Sequence, residues 1–537
     1  MDEAVSPPTT PAAQPRFDWR FVAVLVVAGA LLVLFRLHAF GVPLETDECN
    51  YAYIGERLLH GDRLYVDVWD HQPPGVFVLF AGVIGVFGDA PVVFRLMATA
   101  FSLASFVLIV LIANRYGGRR AALIAGLLFA LVSSDPGTAG EGCNREIYMN
   151  TLLLAAWWLA SGPKVGSRFR LFAAGGMLGL ASALKTIIAV HWVFLAVWIA
   201  WAAWREHRRA WPAVRALLIL GMGPALLWIS IGAYFGLTSR WSEFTDATFA
   251  FNLSYAKSDA PFAARFLQFF APPRHPFTFD SALPLWIAGI LAVGVHAVLA
   301  IIDRHRDRAG PLLAYVLASY VAVCLPAHFW PHYYYLMIPP LALLIGSAIE
   351  DLGALRWRAA RPSAVVVAGL VVLAVGLTEW AWYLGQPPFG ITVARYNSRD
   401  FWGRAIGEKV RAVTDPDDYV FVYGNDAEIY YYAQRRCASR FTMISGLAEG
   451  SRGADKRRAL LIDDLKAHRP RLIILLFDEQ PFLAWRTFLE DGYGQPIGWD
   501  LHDRTGEPIM YVLTDRRHPV ASIDWNWDRS EVGGWFL

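Results

Sequence analysis

Charged residues in this chain gather into short clusters, and the apolar runs between the clusters are long enough to lie in hydrocarbon. A helix needs about 20 mostly apolar residues to cross a bilayer. Eleven candidate crossings are read, at 19–40, 91–113, 120–134, 147–159, 172–190, 191–204, 214–235, 283–302, 311–326, 332–349 and 364–384. Several are short and need polar flanks in the headgroup region. The composition excludes a soluble globular class: 56% of residues are hydrophobic and 18% charged, against about 45–50% and about 25% for soluble domains. The chain therefore reads as a polytopic α-helical membrane protein.

The basic clusters set its orientation. Arg16 and Arg20, then Arg115, Arg119 and Arg120, then Lys164, Arg168 and Arg170, then Arg205, Arg208, Arg209 and Arg215, then Arg304, Arg306 and Arg308, then Arg356, Arg358 and Arg361 fall on alternate connections. Cytoplasmic loops carry such an excess. Met1 and Arg306 are accordingly expected in the cytoplasm, with Asp47, Glu146, Gly424 and everything after Leu384 outside. The apolar run 74–87 would reverse every later cluster if it crossed, so it is expected as a short half-buried or surface-lying helix. Residues 1–15, rich in Pro, Thr and Ala, read as a disordered cytoplasmic tail. Residues 16–384 read as the transmembrane module and 385–537 as an extracytoplasmic soluble domain. The first apolar run shows no small-residue cleavage site, so no cleaved signal peptide is expected. Four cysteines give no disulfide framework. Cys49 and Cys143 share the outer side and could pair, although free thiols are the preferred reading.

The soluble end alternates strand and helix patterns. Strands are expected at 419–423, 471–477 and 508–513 and helices at 427–434 and 456–468, while 497–500 is too short and mixed to assign. That order predicts a small α/β sheet with helices packed on it.

Chemistry is sought where polar residues crowd one membrane face. The first outer loop holds Glu45, Asp47, Glu48, Asn50, Tyr51, Asp70, His71 and Gln72, a density that solvation alone does not require. Asp47 with Glu48 offers a general base or metal-binding oxygens. The second outer loop supplies Arg145 and Glu146, and Lys185 stands near the outer end of an apolar segment. An intramembrane lysine without a partner is costly, so a phosphate is its natural partner; snorkelling is the plainer reading. The last outer turn carries His328 and His332 four residues apart, interrupted by Pro331. In the tail, Tyr430, Tyr431, Tyr432, Arg435 and Arg436 could cradle a glycan or acidic lipid head, or simply pack the domain onto the membrane module.

At these residues the sequence resembles a family. Glu45-Thr-Asp-Glu-Cys-Asn-Tyr-Ala-Tyr-Ile, Gly61-Asp62 and His71-Gln-Pro-Pro-Gly75 are similar to the first periplasmic loop of GT-C glycosyltransferases, in particular the protein mannosyltransferase and aminoarabinose transferase group of glycosyltransferase family 39. Phe94-Arg-Leu96, Asn114 to Arg120, Arg145 to Tyr148, Gly179 to Lys185, and His332-Tyr333 before Pro339-Pro340 follow in the family's order. The resemblance covers about residues 44–346.

What the resemblance implies is an inverting transferase that moves a sugar from a polyprenyl-phosphate carrier to an acceptor at the outer face. Asp47 would act as base and Glu48 would assist. Arg145, Lys185 and His332 would meet the carrier phosphate, and Glu146, His71, Tyr431 and Arg435 are weaker candidates for acceptor or substrate contacts. No cofactor is certain; a divalent metal, Mg or Mn, is left open, and its ligands are unknown. The distinctive lumenal insert of the protein mannosyltransferases is missing, so a glycan or lipid acceptor is expected rather than a protein. Membrane lipid is an expected partner, nucleic acid is not, and the oligomeric state is open. The expected location is a bacterial cytoplasmic (inner) membrane, multi-pass. The alternatives are a transporter for a lipid or glycan precursor, which should show inverted repeats with broken helices, and a non-catalytic scaffold.

Overall fold

The apolar runs fold as helices because only intrachain hydrogen bonds satisfy a backbone removed from water. The computed structural model describes residues 18–161, 167–257, 261–271, 277–302, 306–355, 360–387, 390, 399–448, 451–476, 482–494, 497–498 and 510–518. The expected disordered tail at 1–15 and the basic residues Arg16, Lys164, Arg304, Arg356 and Arg358 lie outside them. Twelve longer helices within that set organise the first part of the chain: α1 (Trp19–His38), α2 (Thr46–Leu59), α3 (Gly75–Phe87), α4 (Pro91–Val132), α5 (Arg145–Ala160), α6 (Arg168–Leu184), α7 (Ala189–His207), α8 (Ala210–Leu237), α9 (Leu283–Ile302), α10 (Arg306–Cys324), α11 (Ile338–Gly353) and α12 (Ala360–Tyr383).

Six helical stretches among the described residues are long and apolar enough to cross a membrane, against the eleven expected: Trp19–Gly41, Pro91–Val132, Thr186–His207, Ala210–Leu237, Pro331–Gly353 and Ala360–Tyr383. The difference has physical sources. The first is α4, which holds two of the expected segments. Gly118 inside it adopts φ 80° and ψ −171°, a left-handed conformation that suits glycine, and the chain folds back there. A Cβ on Gly126 would stand 3.0 Å from Val110, so the two halves of α4 pack side by side. The second source is length. α5 and α6 have 16 and 17 residues, and the apolar parts of α9 and α10, Leu283–Leu299 and Ala309–Cys324, are short as well. α3, with 13 residues, is the short helix expected at 74–87. α6 and α8 approach through Gly175 and Gly223, where a side chain on either would meet the other helix's backbone. Small residues at such crossings are how helices pack without a hydrophobic driving force.

The basic connections converge at one end. Arg119 pairs with Asp18 at 3.2 Å and Arg120 lies 4.0 Å from Glu350. Arg115 and Arg170 both donate to the Trp158 carbonyl, at 2.7 and 3.0 Å, and Arg115 also donates to that of Ser161.

At the other end stands an α/β unit, built from α13 (Arg399–Val413), β1 (Tyr419–Tyr423), α14 (Glu428–Ala433), β2 (Arg436–Cys437), α15 (Ala454–His468), β3 (Leu472–Leu476), α16 (Leu483–Gly492), β4 (Ile497–Gly498) and β5 (Met510–Thr514). The sheet order is β2-β1-β3-β5-β4. β1 pairs in parallel with β2 and β3, while β5 runs antiparallel to β3 and β4. Val420, Phe421 and Val422 are all fully buried, which is why β1 reads as a continuous apolar run rather than an alternating one. The strand expected at 419–423 coincides with β1, those expected at 471–477 and 508–513 overlap β3 and β5, with Phe477, Pro508 and Ile509 outside the described residues, and the two expected helices coincide with α14 and α15. The helices α13 and α16 were not expected.

This unit is bonded into the outer end of the bundle. The Leu44 amide donates to the Tyr432 hydroxyl at 2.9 Å, Thr46 donates to Glu428 at 2.8 Å, and the Cys437 amide donates to the Tyr53 hydroxyl at 2.8 Å. The basic end and the α/β end thus occupy opposite ends of the helices. All four cysteines are buried and free, so an introduced thiol reports cleanly. We expect a membrane-impermeant maleimide added to intact cells to label Glu408→Cys and to spare Arg119→Cys, both of whose side chains are more than half exposed. The reverse pattern would overturn the assignment of sides.

Candidate active site

The site begins with the cap of α2. Glu45 and Glu48 form a reciprocal capping box, in which the Glu45 amide donates to Glu48 at 3.1 Å; the pattern is an acidic variant of the usual Ser/Thr-x-x-Glu box. Glu48 also accepts from the Cys143 amide and pairs with Arg95 at 3.2 Å. Its neighbour Asp47 points a turn-step away, into a cavity of ≈ 250 Å³ between the bundle and the α/β unit. Successive helix residues differ by about 100° in direction. Two adjacent acids therefore have separate surroundings.

The cavity wall brings Glu45, Thr46 and Asp47 together with His71 and Gln72, Arg145, and Tyr255, Trp330, His332 and Tyr333. The α/β unit closes it with Asn425, Met443 and Ser445. Tyr51 links the two charged groups: its hydroxyl donates to Asp47 at 3.4 Å and accepts from Arg145. Behind this wall Lys185 donates to Glu146 at 2.9 Å, and Arg145 Nε lies 3.6 Å from the same carboxylate oxygen. The Lys185 ammonium stands 3.3 Å from the centre of the Tyr333 ring. Lys185 is where α6 stops, in an extended conformation with φ −159° and ψ 121°.

Burial sets the protonation of the outer-loop groups. It pushes the Asp47 carboxyl up, and the charge of Arg145 offsets part of that rise. Asp70 is pushed up to about 6 by burial, although it accepts from Asn50 at 2.6 Å and from the Gln72 amide at 2.8 Å. His71 is pushed down to about 3 by burial, and the Arg145 charge adds to the effect. His71 is therefore neutral at ordinary pH and serves as a hydrogen-bonding group packed against two tilted rings, 5.2 Å from the Phe251 ring and 5.3 Å from Tyr255.

Of the residues singled out in the sequence, Asp47, His71, Arg145 and His332 line the cavity. Glu146 and Lys185 stand behind it. Lys185 has a carboxylate partner that sequence reading did not supply, because Glu146 lies 39 positions away. Glu48 is not among the lining residues; its oxygens serve the helix cap and Arg95. Tyr431 and Arg435 do not line it either. Tyr431 donates to the Asp89 carbonyl, docking the α/β unit on the bundle. The Arg435 guanidinium is taken up by Thr414 and by carbonyls of Arg411, Thr414, Ala433 and Gln434. Sequence reading missed Asn425, Met443 and Ser445. A signal was present for Asn425, which follows Gly424 at the carboxyl end of β1, where α/β sheets receive ligands. Among the described residues no three His, Cys, Asp or Glu side chains are placed to hold one metal ion.

Residues 71–228 match the protein family described as dolichyl-phosphate-mannose-protein mannosyltransferase. Over nearly its whole length the chain superposes on ArnT from Cupriavidus metallidurans, solved bound to undecaprenyl phosphate, with a TM-score of 0.59, 17% identity, and coverage of 95% of this chain and 99% of that one. The chain shares the fold of this ArnT, and the mannosyltransferase family match is confined to residues 71–228. A second structure, the archaeal oligosaccharyltransferase AglB from Archaeoglobus fulgidus in complex with an inhibitory peptide and a dolichol-phosphate, matches with a TM-score of 0.55 and 13% identity, covering 95% of this chain and 75% of that one. No curated protein matches the chain in sequence.

The separation of the two acids is measurable. Glu48 and Arg95 are 1% and 3% exposed, and removing one partner of a buried ion pair costs about 3–5 kcal/mol. Glu48→Gln is therefore expected to lower the thermal unfolding midpoint in detergent strongly, whereas Asp47→Asn leaves it near wild type. Equal midpoints for the two variants would refute the structural assignment of Glu48.

Proposed function

We propose that this GT-C chain is an inverting glycosyltransferase that moves a sugar from a polyprenyl-phosphate carrier to a glycan or lipid acceptor at the outer face of a bacterial cytoplasmic membrane. The observation that carries the reading is one cavity wall holding Asp47 and Arg145 side by side, joined through Tyr51. A sugar–phosphate donor needs a base on the acceptor side and cations on the leaving-group side. The acceptor hydroxyl gives its proton to Asp47, its oxygen bonds to the anomeric carbon, and the carbon–oxygen bond to phosphate breaks with the electron pair leaving on the carrier. Arg145 receives the developing phosphate charge, with His332 beside it and Lys185 behind Tyr333. The upward push on Asp47 suits it to accept a proton.

In this reading the membrane crosses the chain eleven times. α4 counts as two crossings, and the shorter helices α5, α6, α9 and α10 cross as well. Residues 16–384 form the catalytic module, and the α/β unit within 385–537 roofs the cavity and selects the acceptor. Asn425, Met443 and Ser445 carry that second role in place of Tyr431 and Arg435.

Asp47→Asn is expected to reduce transfer by about 10²–10⁴-fold, the usual contribution of a general base, with donor binding retained. Activity at the wild-type level in this variant would end the proposal. The pH profile adds a sign. Asp47 must be ionised, so its raised value places the acid limb of kcat/KM above the ordinary carboxylate range near ~3.9, and activity falls as pH falls through it. The negative charge of Asp70 contributes to that rise. Asp70→Asn should accordingly move the acid limb to lower pH; an unmoved limb would assign it to another group.

For the α/β unit, Met443→Ala and Ser445→Ala should raise the acceptor KM several-fold without altering donor affinity. An unchanged acceptor KM in both would remove the unit from acceptor selection.

A further inference from the structure

A second cavity, of ≈ 290 Å³, opens between the first outer loop and the α/β unit. It shares its walls with the first. α2 presents Asp47 to one cavity and Arg57 to the other, ten residues on, or about 15 Å along the helix axis. The loop presents His71 to the first and Asp67 to the second, and the segment after β2 presents Ser445 to the first and Arg440 to the second. Between them the loop and that segment are joined where the Trp69 amide donates to the Arg440 carbonyl at 2.8 Å.

The arginine donors in this cavity are not all taken up by its acids. Arg440 is held by Asp464 through two bonds of 2.9 and 2.8 Å, and Asp67 by Arg63 through two of 2.8 Å. Arg57 is 7% exposed, and Asp62 engages only its Nε, at 2.7 Å. Its two terminal nitrogens make no hydrogen bond among the described residues. The exposed Arg436 has no hydrogen-bond or ion-pair partner among them either. Two guanidinium groups with free donors therefore face one polar space, although the lining as a whole balances three arginines, Arg57, Arg436 and Arg440, against three aspartates, Asp62, Asp67 and Asp464. Tyr419 and His468 supply stacked rings, 4.7 Å apart, at the same wall.

We infer that this cavity is a binding subsite for a single sugar unit bearing a carboxylate, of the uronic acid class. Guanidinium forks match a carboxylate in two-point geometry. Ser439, Asp62 and the Tyr419 and His468 rings supply the alternating donors, acceptors and flat faces that sugar hydroxyls and ring carbons require. The volume is at the lower end for small-molecule sites, which suits one unit rather than a chain. Its distance from Asp47 excludes the bound unit from the chemistry, so it belongs to a remote part of the acceptor. The choice of a sugar rests on the transferase reading. Binding itself can be measured without turnover.

The test uses the full-length protein in lipid nanodiscs and reads the rate at which phenylglyoxal modifies Arg436, by mass spectrometry of its peptide. Methyl glucuronide is expected to slow that rate several-fold and methyl glucoside to leave it unchanged. Arg57→Gln should abolish the protection, and Asp47→Asn should retain it. Because Arg57→Gln removes an ion pair with Asp62, saturation-transfer NMR of the glucuronide on Arg436→Gln, a change at an exposed side chain, provides a second reading in which the signal should be lost. Equal protection by inorganic phosphate would reduce the cavity to a general anion site and overturn the sugar assignment. Absence of protection, or its loss in Asp47→Asn, would overturn the subsite altogether.

Discussion

The outer end of this protein depends on where the buried carboxylate of Glu48 finds its hydrogen bonds. An ionised acid removed from water is sustained only when its oxygens are filled, and here they take the Glu45 amide, the Cys143 amide and Arg95. Arg95 in turn donates to the Pro43 carbonyl at 2.9 Å. One side chain thereby ties the end of the α1 connection, the first turn of α2, the second outer loop and α4. Arg36 does similar work beside it, donating to the carbonyls of Gly140 at 2.7 Å and Gly142 at 2.8 Å. With both loops fixed in this way, Asp47 has a defined direction.

Membrane class and the convergence of basic connections were legible because they rest on composition and on charge placement, which local sequence carries. The strands were legible for a related reason: β1 and β3 are buried on both faces and read as unbroken apolar runs. The division between Asp47 and Glu48 was not legible. Adjacent acids look alike in sequence, and only the positions of Arg95 and Cys143 reveal that one of them is structural. The partner of Lys185 was hidden by distance along the chain. The tyrosine and arginine cluster of α14 drew attention to the α/β unit at its docking face, while the residues that reach the cavity come from a strand end and an irregular segment with no pattern of their own. The reversal inside α4 depends on Gly118, and the surrounding arginines marked the connection there without showing that helix continues on both sides of it.

The α/β unit is joined to α2 along most of the helix. Thr46 meets Glu428, Asn50 accepts from Thr442 at 2.6 Å, and Tyr53 meets Cys437. The first two turns of α2, which carry Asp47 and Tyr53 to the cavities, thus also hold the unit. A tethered appendage would move independently of the cavity wall; this unit is part of the wall, with Asn425, Met443 and Ser445 in one cavity and Tyr419, Arg436 and Arg440 in the other.

The thiols have a consequence for how such a chain matures. Burial pushes the Cys437 thiol up to about 12, and burial next to Glu48 raises Cys143 as well, so both stay protonated and poorly nucleophilic. Cys49 and Cys143 remain separate although the same corner of the fold holds both. On the outer side assigned here, oxidants are plentiful and many proteins rely on crosslinks for durability. Here the outer end is held by the buried Arg95–Glu48 pair and by hydrogen bonds from backbone amides. Buried and protonated, the Cys143 and Cys437 thiols are withheld from disulfide-exchange partners arriving from solvent.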